Sequence, residues 1–260
     1  MSDALVLYEL RPPAAVLTLN RPDRRNALSR ALVAALGDAV ALAAANPAAR
    51  CLILTGAGPS FCAGLDLAEL QESLSAQRGE SPVWDDALRL AAVYDRIYTC
   101  AKPTVAAVNG PAVAGGAGLV SVCDLAVAAP EATFGYPEVR RGLVAAIVMP
   151  HLLRHVGERA ARWLLLTGDL IDAEEARRVG FVNAVAPAGR LMETALRWAR
   201  SIAEGGPEAL TRTKQLLHGF SRQAAGLEEA ARDSAAPRLT EECRRGLEAF
   251  FAKRPAPWAP

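Results

Sequence analysis

Between Val108 and Asp124 the chain reads VNGPAVAGGAGLVSVCD, and no charged side chain occurs from Pro103 to Cys123. The small-residue cluster Ala114-Gly115-Gly116-Ala117-Gly118 follows an apolar strand and a turn at Asn109-Gly110-Pro111. Glycines this dense let backbone N–H groups approach a ligand with no Cβ in the way. A helix starting there presents unpaired N–H groups and the positive end of its dipole. That chemistry suits an anion, or negative charge that develops during a reaction. Close strand–helix packing explains the same glycines equally well. A second stretch, Phe61-Cys62-Ala63-Gly64-Leu65-Asp66-Leu67, passes a small-residue turn and enters a helix capped by Asp66. A third, Tyr136-Pro137-Glu138, places an acid in the first turn of a short helix. Glu138 there is either a surface acid favoured by the dipole or an acid/base group.

Other candidates are weaker. His151 and His155 stand at i, i+4, a metal-compatible spacing, but no third ligand cluster accompanies them, so no metal is expected. Cys62 has no histidine near it in sequence to activate it as a nucleophile. Glu69, Asp86 and Asp95 read as solvated helix faces.

The elements that must position these residues are short strands alternating with helices. Strands are expected at 5–10, 14–19, 51–54, 104–108, 124–129 and 181–185. Helices are expected at 30–45 behind the N-cap Ser29, at 84–100, at 144–156 (buried), at 159–166, and at 173–179 behind Asp172. Residues 71–83 read as a polar loop. Helix follows at 189–203, 208–233 and 240–253. This is an α/β core with a helical appendage, drawn at 1–200 and 201–260.

The 260 residues are 52% hydrophobic and carry a formal net charge of +1, enough for a large core and no case for nucleic acid or an anionic membrane. Five dispersed cysteines and an acid-containing start point to a reducing, cytoplasmic setting with no membrane span. No G-x-G-x-x-G follows the first strand and no phosphate-binding G-x-x-x-x-G-K-[ST] occurs.

Several segments in fixed order resemble the crotonase family, the enoyl-CoA hydratases and isomerases. They are Leu19-Asn20-Arg21-Pro22-Asp23-Arg24-Arg25-Asn26-Ala27-Leu28, Leu54-Thr55-Gly56-Ala57-Gly58, the Ala63-Gly64-Leu65-Asp66 stretch, Val108-Asn109-Gly110 with Ala114-Gly115-Gly116, and Phe134-Gly135-Tyr136-Pro137-Glu138. The resemblance covers nearly the whole chain. It implies a spiral of ββα turns with a C-terminal helical region that builds trimers, often hexamers. It implies an acyl-CoA thioester as substrate, with coenzyme A part of that substrate and no separate cofactor.

The resemblance also implies roles. The N–H groups of Leu65 and Gly115 form the oxyanion hole for the thioester carbonyl. Ala63 and the run Leu65, Asp66, Leu67 line the acyl-CoA path. Arg24, Arg25, Ala27 and Leu28 touch the nucleotide and pantetheine. Hydratases of the family use two glutamates; Glu138 matches one, while Gly118 stands at the other's position. Four readings follow from that departure: a single-glutamate hydratase resembling bacterial methylglutaconyl-CoA hydratases, which is preferred; a Δ3,Δ2-enoyl-CoA isomerase; a thioester hydrolase; or an acyl-CoA-binding scaffold.

Overall fold

The computed structural model describes residues 4–75, 80–221 and 227–257. The chain opens with an antiparallel pair, β1 (Val6–Arg11) and β2 (Ala14–Leu19), and the helix α1 (Arg30–Ala45). Then come β3 (Cys51–Gly56), α2 (Leu67–Ser75), α3 (Glu80–Tyr98), β4 (Thr104–Val108), β5 (Ala112–Val113) and α4 (Gly115–Ser121). Next are β6 (Leu125–Ala128), β7 (Thr133–Gly135), a 3-10 helix (Pro137–Arg141), α5 (Met149–Thr167), β8 (Leu170–Asp172), α6 (Ala173–Arg178) and β9 (Ala184–Val185). From there the described chain is helical: α7 (Leu191–Glu204), α8 (Pro207–Ser221), α9 (Leu227–Ala235), a 3-10 helix (Ala236–Leu239) and α10 (Glu241–Phe251).

The main sheet runs β1-β2-β3-β4-β6-β9 and is parallel from β2 onward. Its inner strands are buried on both faces, which is why they read as continuous apolar runs. Alternation divides them between two cores. Leu17, Leu52, Leu54 and Ala106 pack toward α1 and α3; Val16, Ile53, Val105 and Ala107 pack toward Ala195 and Ala199 of α7. In a second sheet, β5-β7-β8, the parallel β5 and β7 release the glycine cluster and the Pro137–Arg141 turn from the same end.

Local signals fix several boundaries. Ser29 caps α1 by accepting from the Leu32 N–H, and Asp172 caps α6 by accepting from Glu175. Asp66 Oδ1 accepts from the Ala68 N–H at the start of α2. Near the C-terminal helices, the buried Lys214 of α8 donates to Asp124 at 2.7 Å, and Asp124 also accepts from the Thr104 N–H and hydroxyl, tying that region to the sheet end.

Two expectations fail. Residues 71–75 and 80–83 are helical rather than loop, because Leu70 and Leu74 join a small apolar cluster with Leu143, Cys243 and Leu247, and Val83 joins the main core. The rest of that expected loop, 76–79, lies outside the described residues, as do 222–226 within the expected helix 208–233. The apolar run after Leu143 is not helical from its start: α5 begins at Met149, and 143–148 form turns whose side chains face a cleft. The expected division between a helix ending near 156 and another starting near 159 is present: α5 is two helical stretches that meet at a kink at Gly157 (φ 67°, ψ 172°).

Candidate active site

The glycine cluster and the Ala63–Leu67 stretch meet. Gly64 lies at φ +86°, and a Cβ built there would fall 2.7 Å from Ala114 Cβ and 3.0 Å from the Gly115 nitrogen, so only glycine allows this approach. Asn26 makes the meeting possible. It is fully buried, donates to the carbonyls of Ala57, Ser60 and Phe61, and accepts from the Arg21 N–H. Leu28 then bonds through its N–H to the Gly64 carbonyl at 2.7 Å, and Asp66 through its N–H to the Leu28 carbonyl. Arg21 closes the arrangement with an ion pair to Asp66 at 3.1 Å.

Ala114 precedes α4 at φ 55°, ψ −125°, a conformation that costs a non-glycine residue about 1–3 kcal/mol. Such strain persists where the surroundings over-determine it. Here it starts α4 at Gly115 with its N–H outside the helical bonding pattern. Among the described residues, neither the Gly115 nor the Leu65 N–H has an acceptor in the chain.

Both segments line a cleft of about 590 Å³, within the usual size range of small-molecule sites. Arg24, Arg25, Ala63, Leu65, Asp66, Leu67, Gly115 and Glu138 all contribute to its wall. Ala27 and Leu28 do not: Leu28 is 1% exposed in the core behind the cleft, and Ala27 offers its carbonyl to Arg21.

Glu138 faces this space from the 3-10 turn that Pro137 begins. Its Oε2 is sealed from solvent and, among the described residues, has no hydrogen-bond partner. Burial raises its pKa to about 7, against a smaller lowering by its own backbone N–H and by Arg141 and Arg238. A carboxyl group poised there exchanges protons at neutral pH.

Gly118 is buried in α4. A Cβ on it would meet Val148 Cγ1 at 2.3 Å and the Tyr94 hydroxyl at 3.1 Å. A glutamate at this position would require Val148 to shift and Tyr94 to give way. The space is filled by Val148, from the turns after Leu143, and by Tyr94 of α3, whose buried hydroxyl donates to the Gly115 carbonyl at 2.7 Å.

Other sequence candidates fall away. Glu69 accepts from the Arg30 N–H and Asp86 pairs with Arg30 at 2.6 Å, both beside the cleft rather than in it; Asp95 is exposed. Tyr136 packs edge-on against Phe181 in the core. His151 is pushed down to about 3 by burial and packs on Tyr98, while His155 Nε2 meets the Ser121 carbonyl. No group of three metal-binding side chains exists among the described residues. Cys62 is fully buried, and its thiol is pushed up to about 12. No helix among the described residues is long and apolar enough to cross a membrane.

Sequence reasoning missed Tyr94, Arg141 and Arg238. Tyr94 looks like one more core position of an amphipathic helix, and Arg238 sits after Pro237 in what reads as a break between helices. Nothing local marks either as facing a cleft.

An α/β spiral with paired backbone donors and one buried carboxyl group defines a class of enzyme, and comparison with known proteins gives the family. A family model described as enoyl-CoA hydratase/isomerase matches residues 12–260. A Thermus thermophilus protein assigned as an enoyl-CoA hydratase is 46% identical over 245 residues, covering 93% of this chain and 95% of its own. The 2,3-dehydroadipyl-CoA hydratase of Escherichia coli is 34% identical over 98% of this chain and 97% of its own. The crystal structure of an enoyl-CoA hydratase/isomerase from Xanthobacter autotrophicus superposes with a TM-score of 0.84 at 32% identity, covering both chains completely. The chain belongs to the enoyl-CoA hydratase/isomerase family, has the crotonase fold, and is an enzyme of that class.

Proposed function

We propose that the protein adds water to a 2-enoyl-CoA thioester with Glu138 as its only acid/base group. The observation that carries this reading is the sealed, unpartnered Oε2 of Glu138 in the same cleft as the free N–H groups of Leu65 and Gly115. The thioester carbonyl accepts from those two donors. As water adds at C3, charge moves onto the carbonyl oxygen, where each fixed donor is worth about 3–4 kcal/mol in comparable sites. Glu138 takes the proton from the water and delivers a proton to C2, so the carboxylate is regenerated and no second acid is required. Ala63, Asp66 and Leu67 flank the thioester path, and Arg24 and Arg25, exposed on the rim, meet the phosphates of coenzyme A. Coenzyme A arrives with the substrate, and no other cofactor takes part.

The filled space at Gly118 favours a second reading, Δ3,Δ2 isomerisation. There Glu138 removes a proton from C2 of a 3-enoyl thioester and returns it to C4. One experiment tests both. The protein is offered a 2-enoyl-CoA and a 3-enoyl-CoA in parallel, and the conjugated thioester absorbance is followed. Loss from the first is hydration; appearance from the second is isomerisation. No change in either, with tight acyl-CoA binding, leaves a scaffold and overturns both.

Assembly as a trimer or dimer of trimers is part of the proposal. Trp163, Leu166 and Leu170 are exposed (38, 70 and 53%), large apolar side chains that an interface between copies would cover. Sedimentation giving a monomer would refute it. Five unbridged cysteines fit a cytoplasmic location.

A further inference from the structure

The wall of the cleft that carries Glu138 also carries two arginines, and among the described residues neither forms an ion pair. Arg238, in the 3-10 turn Ala236–Leu239, is 5% exposed. Among the described residues its one hydrogen bond runs from Nη2 to Ser234 Oγ at 2.8 Å. Arg141 donates from Nη1 to the Pro137 carbonyl at 3.3 Å and stacks its guanidinium 4.5 Å above the Phe250 ring. Its Nε is sealed from solvent with no acceptor among the described residues.

Leaving a charge buried and unpaired is expensive, so such groups normally have a partner. The nearby carboxylates do not supply one. Asp86 is engaged with Arg30 and Arg89. Glu138 interacts with both arginines without reaching either, and with its pKa near 7 it is neutral for part of the time. The inner wall thus keeps an excess of positive charge. It shares its surface with Leu90, Leu143, Ile147 and Val148, an apolar lining that suits an acyl chain. The hydrated phosphates of coenzyme A have a separate, exposed pair of cations in Arg24 and Arg25. A planar guanidinium with most of its donors unused matches a carboxylate in a bidentate mode.

We propose that Arg238, with Arg141 beside it, forms an anion subsite that selects acyl-CoA thioesters whose acyl chain ends in a carboxylate. This rests on the enoyl-thioester reading above, deepening it to a substrate class.

The test uses the full chain and two 2-enoyl-CoA thioesters of equal length, one ending in a carboxylate and one in a carboxamide. The wild type is expected to favour the carboxylate at least tenfold in kcat/KM, mostly through KM. In Arg238→Met the ratio falls below about threefold, and Arg238→Lys keeps an intermediate ratio. A merely structural arginine would lower both rates together and leave the ratio unmoved, which overturns the proposal. Equal use of the pair by the wild type also overturns it. Calorimetry with free coenzyme A and with the saturated forms of both thioesters separates the remaining cases. If Arg238→Met weakens free coenzyme A as much as the carboxylate-ended thioester, the anion is a phosphate and the proposal fails. If the wild type turns over neither thioester yet binds the carboxylate-ended one at least tenfold more tightly, the reaction reading fails and the subsite stands. Should Arg238→Met fail to fold by circular dichroism, the wild-type preference and the Arg238→Lys ratio decide.

Discussion

The two walls of the cleft are built by opposite means. One is backbone: Ala63 to Leu65 and Ala114 to Gly118 carry no charged side chain and present N–H groups fixed by a strained Ala114, a left-handed Gly64 and the buried Asn26. The other is side chain: Glu138 and Arg141 each bury a polar atom with no partner among the described residues, and Arg238 is 5% exposed. The difference separates two jobs. Backbone donors do not titrate and cannot be deleted by substitution, so they suit a task common to every thioester substrate. Buried side chains titrate and can be exchanged one at a time, so they suit proton transfer and discrimination between acyl groups.

This contrast predicts how each wall breaks. The largest effect belongs to the side-chain wall. Glu138→Gln is expected to lower kcat by about 10³-fold or more, the scale of removing a sole acid/base group, while acyl-CoA affinity measured by calorimetry changes less than about threefold. Full turnover in that variant would remove Glu138 from the mechanism.

The backbone wall should respond only to bulk. In Gly115→Val the new Cβ would lie 2.8 Å from the Tyr94 hydroxyl and 3.2 Å from Leu28 Cδ1. Displacing one oxyanion donor by this crowding costs about 10²–10³-fold in kcat. An active Gly115→Val enzyme would move the carbonyl site elsewhere.

Gly118→Glu sharpens the comparison further. With Val148 Cγ1 2.3 Å from the added Cβ, this change should not create a second acid; it should destabilise the fold by about 1–3 kcal/mol through overpacking. Gly118→Glu combined with Val148→Ala is expected to recover part of that loss in thermal unfolding. Gain of hydratase rate by Gly118→Glu alone would contradict the filled space.

Protonation divides the walls as well. Ionised Glu138 is the form that takes a proton, so kcat/KM should rise with pH to a plateau, with a midpoint near 7. Stability runs the other way. The folded pKa lies above the unfolded value, so the neutral form's contribution is fully present below about 4.5 and is lost as pH rises through 7. Glu138→Gln, which cannot ionise, should therefore gain on the wild type by up to about 3 kcal/mol between those limits, read from urea unfolding at pH 4 and pH 8.

Much of this architecture was legible in the residues. The strands 14–19 and 104–108, the caps Ser29, Asp66 and Asp172, and the three segments around Gly64, Gly115 and Glu138 announce themselves through local chemistry. The helical 71–75 was not legible, because its polar composition hides Leu70 and Leu74, which find their partner Leu247 far along the chain. The turns at 143–148 were misread for the opposite reason. A run of apolar residues looks like a buried helix when its burial in fact comes from lining a cleft.

What the sequence determined by itself is the inventory: a glycine-rich donor segment, an acid behind Pro137, and no side chain at Gly118. Those are local properties of spacing and residue type. Only the tertiary structure decided that Gly118 is a filled position rather than an empty one, since Val148 and Tyr94 reach it from distant elements. It alone brought Arg238 to the wall that holds Glu138. Burial and unpaired charge depend on how segments a hundred residues apart pack together, and no local pattern encodes that.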